Sequence, residues 1–446
     1  MKLKFESKIS KYLILSIFIL FLYLEISYFY IFTCILFITN LYKIIDKEKI
    51  FYLVSVFTFY FLRFVFSLSS SFDSNWDSFS LYNFSYANTR FFDLQQNLVS
   101  MKCIITNVDK YYYKFSTTSY ISCPYSAKYG PLSTKIPFLG DIWIATLILS
   151  FAAIVSILYL YKYVIDRNEN YFFITILFLS PATNFLIERM NIDIFIFLVS
   201  IYCLINYKKY PRLGTFFILI LSLYKLHPFG LLVGLTFYFV IKKDKKLFQM
   251  NFNAIILFFV VYLLDSIYYM DVLATEWRPA DLRTTFGLLS DSLILDKILG
   301  VGINTVYIFL IVIILLLALT LNRLKLFSNF QLDEVEELIF YSFAFLICLN
   351  FMYANYDYRI ALFLPISYIF YKKLESTKIV HLFIFLLPIG LKITNRNPEL
   401  IYIDNFFAII GRISIYVFIS CILLIIFYEI KAYRFKNIYK FVTQNE

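Results

Sequence analysis

Two groups of ionisable residues interrupt an otherwise apolar chain of 446 residues. The first is acidic and lies in the one long polar stretch, 70–138, which carries Asp73, Asp77, Asp93 and Asp109. The second mixes signs at short breaks between apolar runs: Glu188, Arg189, Asn191 and Asp193, then Lys225 and His227, then Asp357 and Arg359, with Lys392 and Arg396 further on. A charge inside or at the edge of a membrane costs roughly 2.5–3.5 kcal/mol on insertion scales, so by default it marks a function. Several cations facing a carboxylate-rich loop describe a pocket for an anion, and phosphate is the natural ligand of Arg and Lys there.

Each residue also has a plainer reading. Asp357 with Arg359, and Glu188 with Arg189, read equally as local ion pairs. Lys225 reads as a side chain snorkelling to the interface, His227 as a satisfied polar residue, and Asp93 as a helix cap or solvated acid. The convergence of so many on one side favours the pocket.

Positioning these residues is the task of the apolar segments. The hydrophobic fraction is 61%, the charged fraction 16% and the mean hydropathy +0.74, against about half apolar for a soluble domain. Apolar runs of about twenty residues match a hydrocarbon layer of roughly 30 Å. The fold class is therefore an all-α polytopic membrane protein, a single domain over 1–446. It has about 12–14 transmembrane helices and a large, partly helical first outer loop at 70–138.

Lys2, Lys4, Lys8 and Lys11 precede an apolar run with no small-residue cleavage site, which reads as a retained anchor. Residues 12–45 suit a hairpin of two helices and 50–69 a third span. Further spans are predicted at 141–162, 170–187, 191–207, 213–226, 228–241, 251–270, 303–321, 337–353, 359–371, 379–393 and 405–429. The net charge of +11 sits in short clusters between them, such as Lys208, Lys209 and Arg212 or Lys242 to Lys246. That pattern speaks for topology rather than nucleic acid, and places both termini in the cytoplasm of a bacterial inner membrane by the positive-inside rule. Spans 213–226 and 228–241 are short and meet at Leu226-His227-Pro228, which implies a cavity open to the outer side.

Cys103 and Cys123 share the outer loop and would close a disulfide of about twenty residues in an oxidising compartment, or stay as two thiols. Cys34, Cys203, Cys348 and Cys421 read as small buried side chains. Gly-rich phosphate loops and zinc motifs are missing from the sequence, and the short cytoplasmic loops leave no space for a nucleotide-sugar domain. No cofactor is expected; the loop acids leave a divalent cation open.

Ser180-Pro181, Glu188-Arg189-Met190-Asn191-Ile192-Asp193, the basic loop Tyr210-Pro211-Arg212 and Lys225-Leu226-His227-Pro228 together resemble the polyprenyl-phosphate-mannose-dependent mannosyltransferase-like family of C-type membrane glycosyltransferases. Phe92-Asp93-Leu94, Tyr111-Tyr112, Tyr129-Gly130-Pro131 and Tyr356-Asp357-Tyr358-Arg359 are similar to further stretches of that family and its bacterial relatives. Met190 stands where the family carries glycine, and Gly130 where it often has a second proline. The resemblance covers roughly 90–365. It implies transfer of a hexose from a polyprenyl-phosphate donor to a glycan or glycolipid acceptor at the outer face, with inversion. Asp93 matches the base, with Asp73 and Asp77 as alternatives. Arg189, Lys225 and Arg359 would hold the donor phosphate, His227 would donate to it, and Tyr129 and Asp193 would support the site. A polysaccharide polymerase or ligase using a lipid diphosphate, or a lipid or sugar transporter, is the alternative. The polymerase should carry its large loop late, and the transporter should show internal repeats.

Overall fold

The computed structural model describes residues 138–167, 190–273, 285–323, 332–352, 355–356, 361–373 and 409–428, with isolated positions between 49 and 60, 94 and 101, at 113–114, 120–121, 132 and 136, and between 174 and 190. Ten helices carry the described fold: α1 (Ile142–Ile165), α2 (Ile192–Ile205), α3 (Pro211–Tyr224), α4 (Phe229–Lys242), α5 (Lys245–Leu273), α6 (Leu288–Leu299), α7 (Ile303–Arg323), α8 (Glu334–Met352), α9 (Leu364–Lys373) and α10 (Ile409–Tyr428). Strands are confined, among the described residues, to two antiparallel ladders. β1 (Tyr113–Lys114) pairs with β2 (Tyr120–Ile121) inside the polar loop, and β3 (Thr285–Phe286) pairs with β4 (Asn355–Tyr356). The chain is an all-α polytopic membrane protein. Among the described residues five helices are long and apolar enough to cross a bilayer, and four shorter apolar helices accompany them. The predicted spans at 12–45 and 379–393 lie outside the described residues.

These helices form because each satisfies its own backbone in an apolar surrounding, and which face is buried follows from packing alone. On α1, Ile144, Ile148, Phe151, Val155 and Tyr159 are exposed at helical spacing while Ile154, Ile157, Leu160 and Tyr161 are buried. On α7 the exposed stripe is Ile308, Phe309, Val312, Leu315, Leu316 and Leu319, opposite buried Val306, Leu310 and Ile314. The exposed stripes are the lipid-facing surface. At the centre lies α8, packed against α2, α4, α6 and α9. Its closest partner is α4: a Cβ on Gly230 would come within 2.5 Å of Leu346 Cα, and one on Gly234 within 2.3 Å of the Tyr341 carbonyl oxygen. This small-x-x-x-small pair lets two backbones touch.

One end of the bundle is polar and basic. Asp333 caps α8 by accepting from the Glu336 N–H at 2.9 Å while its own N–H donates to Glu336 Oε2 at 3.0 Å, a reciprocal capping box. That cap explains why α8 starts at Glu334 rather than at the predicted 337. Lys242 pairs with Glu337 at 2.6 Å, Lys208 pairs with Glu334, and Lys49 pairs with Asp166 at 2.5 Å. The Lys49 ammonium, hydrogen-bonded to Asp166, holds that carboxyl below the usual carboxylate range. Asp244 caps α5 through the Leu247 N–H at 3.0 Å, so α5 begins at Lys245, earlier than the predicted 251. Helix α6 has no counterpart among the predicted spans.

Candidate functional site

Helices α2, α3 and α4 are each 14 residues long, about 21 Å at 1.5 Å per residue. Measured from the basic end, they stop short within a hydrocarbon layer of roughly 30 Å. The start of α2 and the turn between α3 and α4 meet at the ends of these short helices.

The start of α2 is a fused pair of helix ends. Leu186 is helical, Met190 has φ +45°, and the Asn191 N–H donates to the Leu186 carbonyl at 3.2 Å. That is the bond of a Schellman stop, with Met190 in the left-handed position glycine usually takes. Asn191 then caps α2, its side-chain oxygen accepting from the Asp193 N–H at 3.0 Å. Met190 thus takes the backbone conformation that glycine usually supplies and adds a side chain that is fully buried. Replacing Met190 by Gly should relieve about 1 kcal/mol of left-handed strain but forfeit a core side chain worth roughly 2–5 kcal/mol. A net loss of stability, read as a lower midpoint of thermal unfolding in detergent, is expected.

In the first turn of α2, Asp193 is completely buried. Its Oδ1 accepts from Lys225 Nζ at 2.6 Å and lies 3.3 Å from His227 Nε2, the Lys225 and His227 side chains being 5% and 8% exposed. Lys225 therefore does not snorkel. It sits in extended backbone just after α3, its N–H still bonded to Leu221, and Pro228 opens α4 where a missing N–H costs nothing. Three of the residues singled out from sequence thus come together on one oxygen.

The polar loop 70–138 reaches the same place. Leu132 N–H donates to the Leu223 carbonyl at 3.1 Å, two residues before Lys225, and Phe138 N–H donates to Met101 at 3.3 Å. Leu94, Asn97, Leu98 and Met101 are helical; the first three, at i, i+3 and i+4, are buried, Leu94 and Leu98 within the main core. The helical piece after Asp93 is thereby fastened to the bundle. Asp73, Asp77, Asp93, Tyr129, Arg189 and Arg359 lie outside the described residues, as do Cys103, Cys123, Glu188, Asp357, Lys392 and Arg396. Among the described residues no three His, Cys, Asp or Glu side chains gather as metal ligands.

A second buried cluster escaped the sequence reading. Arg412 of α10 pairs with Asp291 of α6, and Tyr416 donates to Asp291 Oδ2 at 2.9 Å; Asp291 and Arg412 are both nearly buried. The signal was available, since Arg412 is a charge within the apolar run 405–429. Ser420 donating to the Ile314 carbonyl at 3.0 Å and Tyr428 donating to Asn322 hold α10 along α7 in a constant register. No family model, curated protein or solved structure matches the chain.

Proposed function

We propose that this protein is a membrane glycosyltransferase that moves a hexose, mannose or similar, from a polyprenyl-phosphate donor to a glycan or glycolipid acceptor. The observation that carries the reading is the meeting of Lys225 and His227 on one buried carboxylate oxygen, beneath an outer loop tied to the same helix end. The site lies at a depth where a lipid-borne phosphate can arrive with its chain still in the membrane. Asp93, which precedes the buried Leu94 in sequence, takes the proton of the acceptor hydroxyl. The hydroxyl oxygen attacks the anomeric carbon, the bond from that carbon to the phosphate oxygen breaks, and the configuration inverts. Lys225, with Arg189 and Arg359, stabilises the departing lipid phosphate. The reaction belongs on the outer face of a bacterial inner membrane, with the basic end of the bundle in the cytoplasm.

The test is transfer of radiolabelled sugar from polyprenyl-phosphate mannose and polyprenyl-phosphate glucose by the purified protein in membranes, with an acceptor extract. Asp93→Asn should fold and lose roughly 10²–10⁴ of the rate, the span of general-base catalysis. Activity that survives would move the base to Asp73 or Asp77. Failure of both donors in an extract that supports transfer from a lipid-diphosphate sugar would replace this reading with a polymerase.

A further inference from the structure

We infer that an anionic phospholipid occupies a groove between α3 and α5 at the basic end of the bundle, its phosphate held by Arg212 and Lys246 and its chains running down the groove. Both helices start at that end, and they meet on a buried polar junction. Asn251 Nδ2 donates to the Tyr207 hydroxyl at 2.8 Å, Thr215 Oγ1 donates to Asn251 Oδ1 at 3.1 Å, and the hydroxyls of Tyr207 and Thr215 lie 2.7 Å apart. Because successive residues of a helix are turned by roughly 100°, the Thr215–Asn251 contact fixes what flanks it. Arg212 and Phe216 of α3 share one flank with Lys246, Met250 and Leu257 of α5, while Lys245 falls on the other. Along the helix axes Arg212 stands about 4.5 Å and Lys246 about 7.5 Å from the junction toward the basic end, so the two cations are nearly level.

The far side of α3 is closed by the end of α2, where a Cβ on Gly214 would come within 2.8 Å of the Tyr207 ring. The flank with Arg212 and Lys246 is open: both cations are exposed, Phe216 is 54% exposed and Leu257 50%. Each cation thus heads an apolar stripe that faces lipid. Their charges also stand apart from the others at this end. Lys208, Lys242 and Lys49 are neutralised by Glu334, Glu337 and Asp166. Lys209, Arg212, Lys245 and Lys246 make no ion pair among the described residues, and Lys209 lies 5.0 Å above the Tyr210 ring. The neighbouring carboxylate, Asp244, is engaged in capping α5 through the Leu247 N–H. A phosphate at the level of Arg212 and Lys246 supplies the missing negative charge. A soluble anion would meet the cations and leave Phe216 and Leu257 unused; a phospholipid uses both halves of the groove.

The test is native mass spectrometry of the full-length protein in non-ionic detergent with dioleoyl phosphatidylglycerol and dioleoyl phosphatidylcholine at equal concentration. One phosphatidylglycerol should be retained in preference to phosphatidylcholine. Arg212→Gln with Lys246→Gln, checked for folding by size exclusion, should lower that affinity on the order of 30-fold, and each single variant about fivefold. Lys208→Gln with Lys242→Gln removes the same charge from cations that already have carboxylate partners, and should leave the preference unchanged. Glycerol 3-phosphate, the headgroup chemistry without chains, should not displace the lipid at matched concentration. Equal retention of the two lipids, a preference that survives loss of Arg212 and Lys246, an equal loss in the Lys208 and Lys242 control, or displacement by glycerol 3-phosphate would each overturn the inference.

Discussion

Lys225→Met is expected to abolish sugar transfer and to destabilise the protein by about 3–5 kcal/mol, because it strands a wholly buried Asp193 carboxylate. The two effects separate in a double variant. Lys225→Met combined with Asp193→Leu replaces the ion pair by apolar side chains of similar bulk, a change that is often neutral for folding. Stability should therefore return while transfer stays lost. Thermal unfolding in detergent and initial rates on polyprenyl-phosphate mannose read the two quantities independently. A double variant that recovers both would make Asp193 and Lys225 a packing device and sink their role in binding. Asp193→Leu alone should be as unstable as Lys225→Met, since each leaves the other's charge without its partner.

A single methyl group added to α4 should have an effect of comparable size. Gly234→Ala places a carbon 2.3 Å from the Tyr341 carbonyl oxygen and 2.6 Å from Ser342 Cα, both backbone atoms of α8 that no rotamer change can move. The helices must part, at a cost of about 1–3 kcal/mol or more. Because α4 begins at the Lys225–Pro228 turn, the displacement also reaches His227, so the rate of sugar transfer should fall along with the melting temperature. The exposed face of the same helix offers the control. Val240, 45% exposed, should accept Ala with little change in either measurement.

The long helices were legible because lipid demands length and apolarity, which a sequence displays directly. Residues 303–321 became Ile303–Arg323, and 228–241 became Phe229–Lys242. The shortness of α3 and α4 was legible too, from the spans 213–226 and 228–241. What remained hidden depends on pairing between distant segments. Nothing local says that Lys242 reaches Glu337, or that Arg412 finds Asp291 on a helix too short and polar to be read as a span. The helix junctions were hidden for another reason. Met190 and Lys243 adopt positive φ without being glycine, and each is followed by an Asx residue, Asn191 or Asp244, that starts the next helix. With no glycine to mark the stop, the sequence shows the cap but not the turn that precedes it. The touching of Gly230 and Gly234 with α8 was there to be read as small-x-x-x-small, yet its partner was not.

The Asp291 cluster also sets an order in time. Tyr416, which donates to Asp291, is 125 positions later in the chain. At a synthesis rate of about 5–20 residues per second, the acid waits roughly 6–25 s for its partners. For that interval α6 carries an uncompensated carboxylate and is not yet a settled part of the bundle. A nascent chain interrupted before α10 lacks both Arg412 and Tyr416, so α6 settles into the bundle only once α10 has been made.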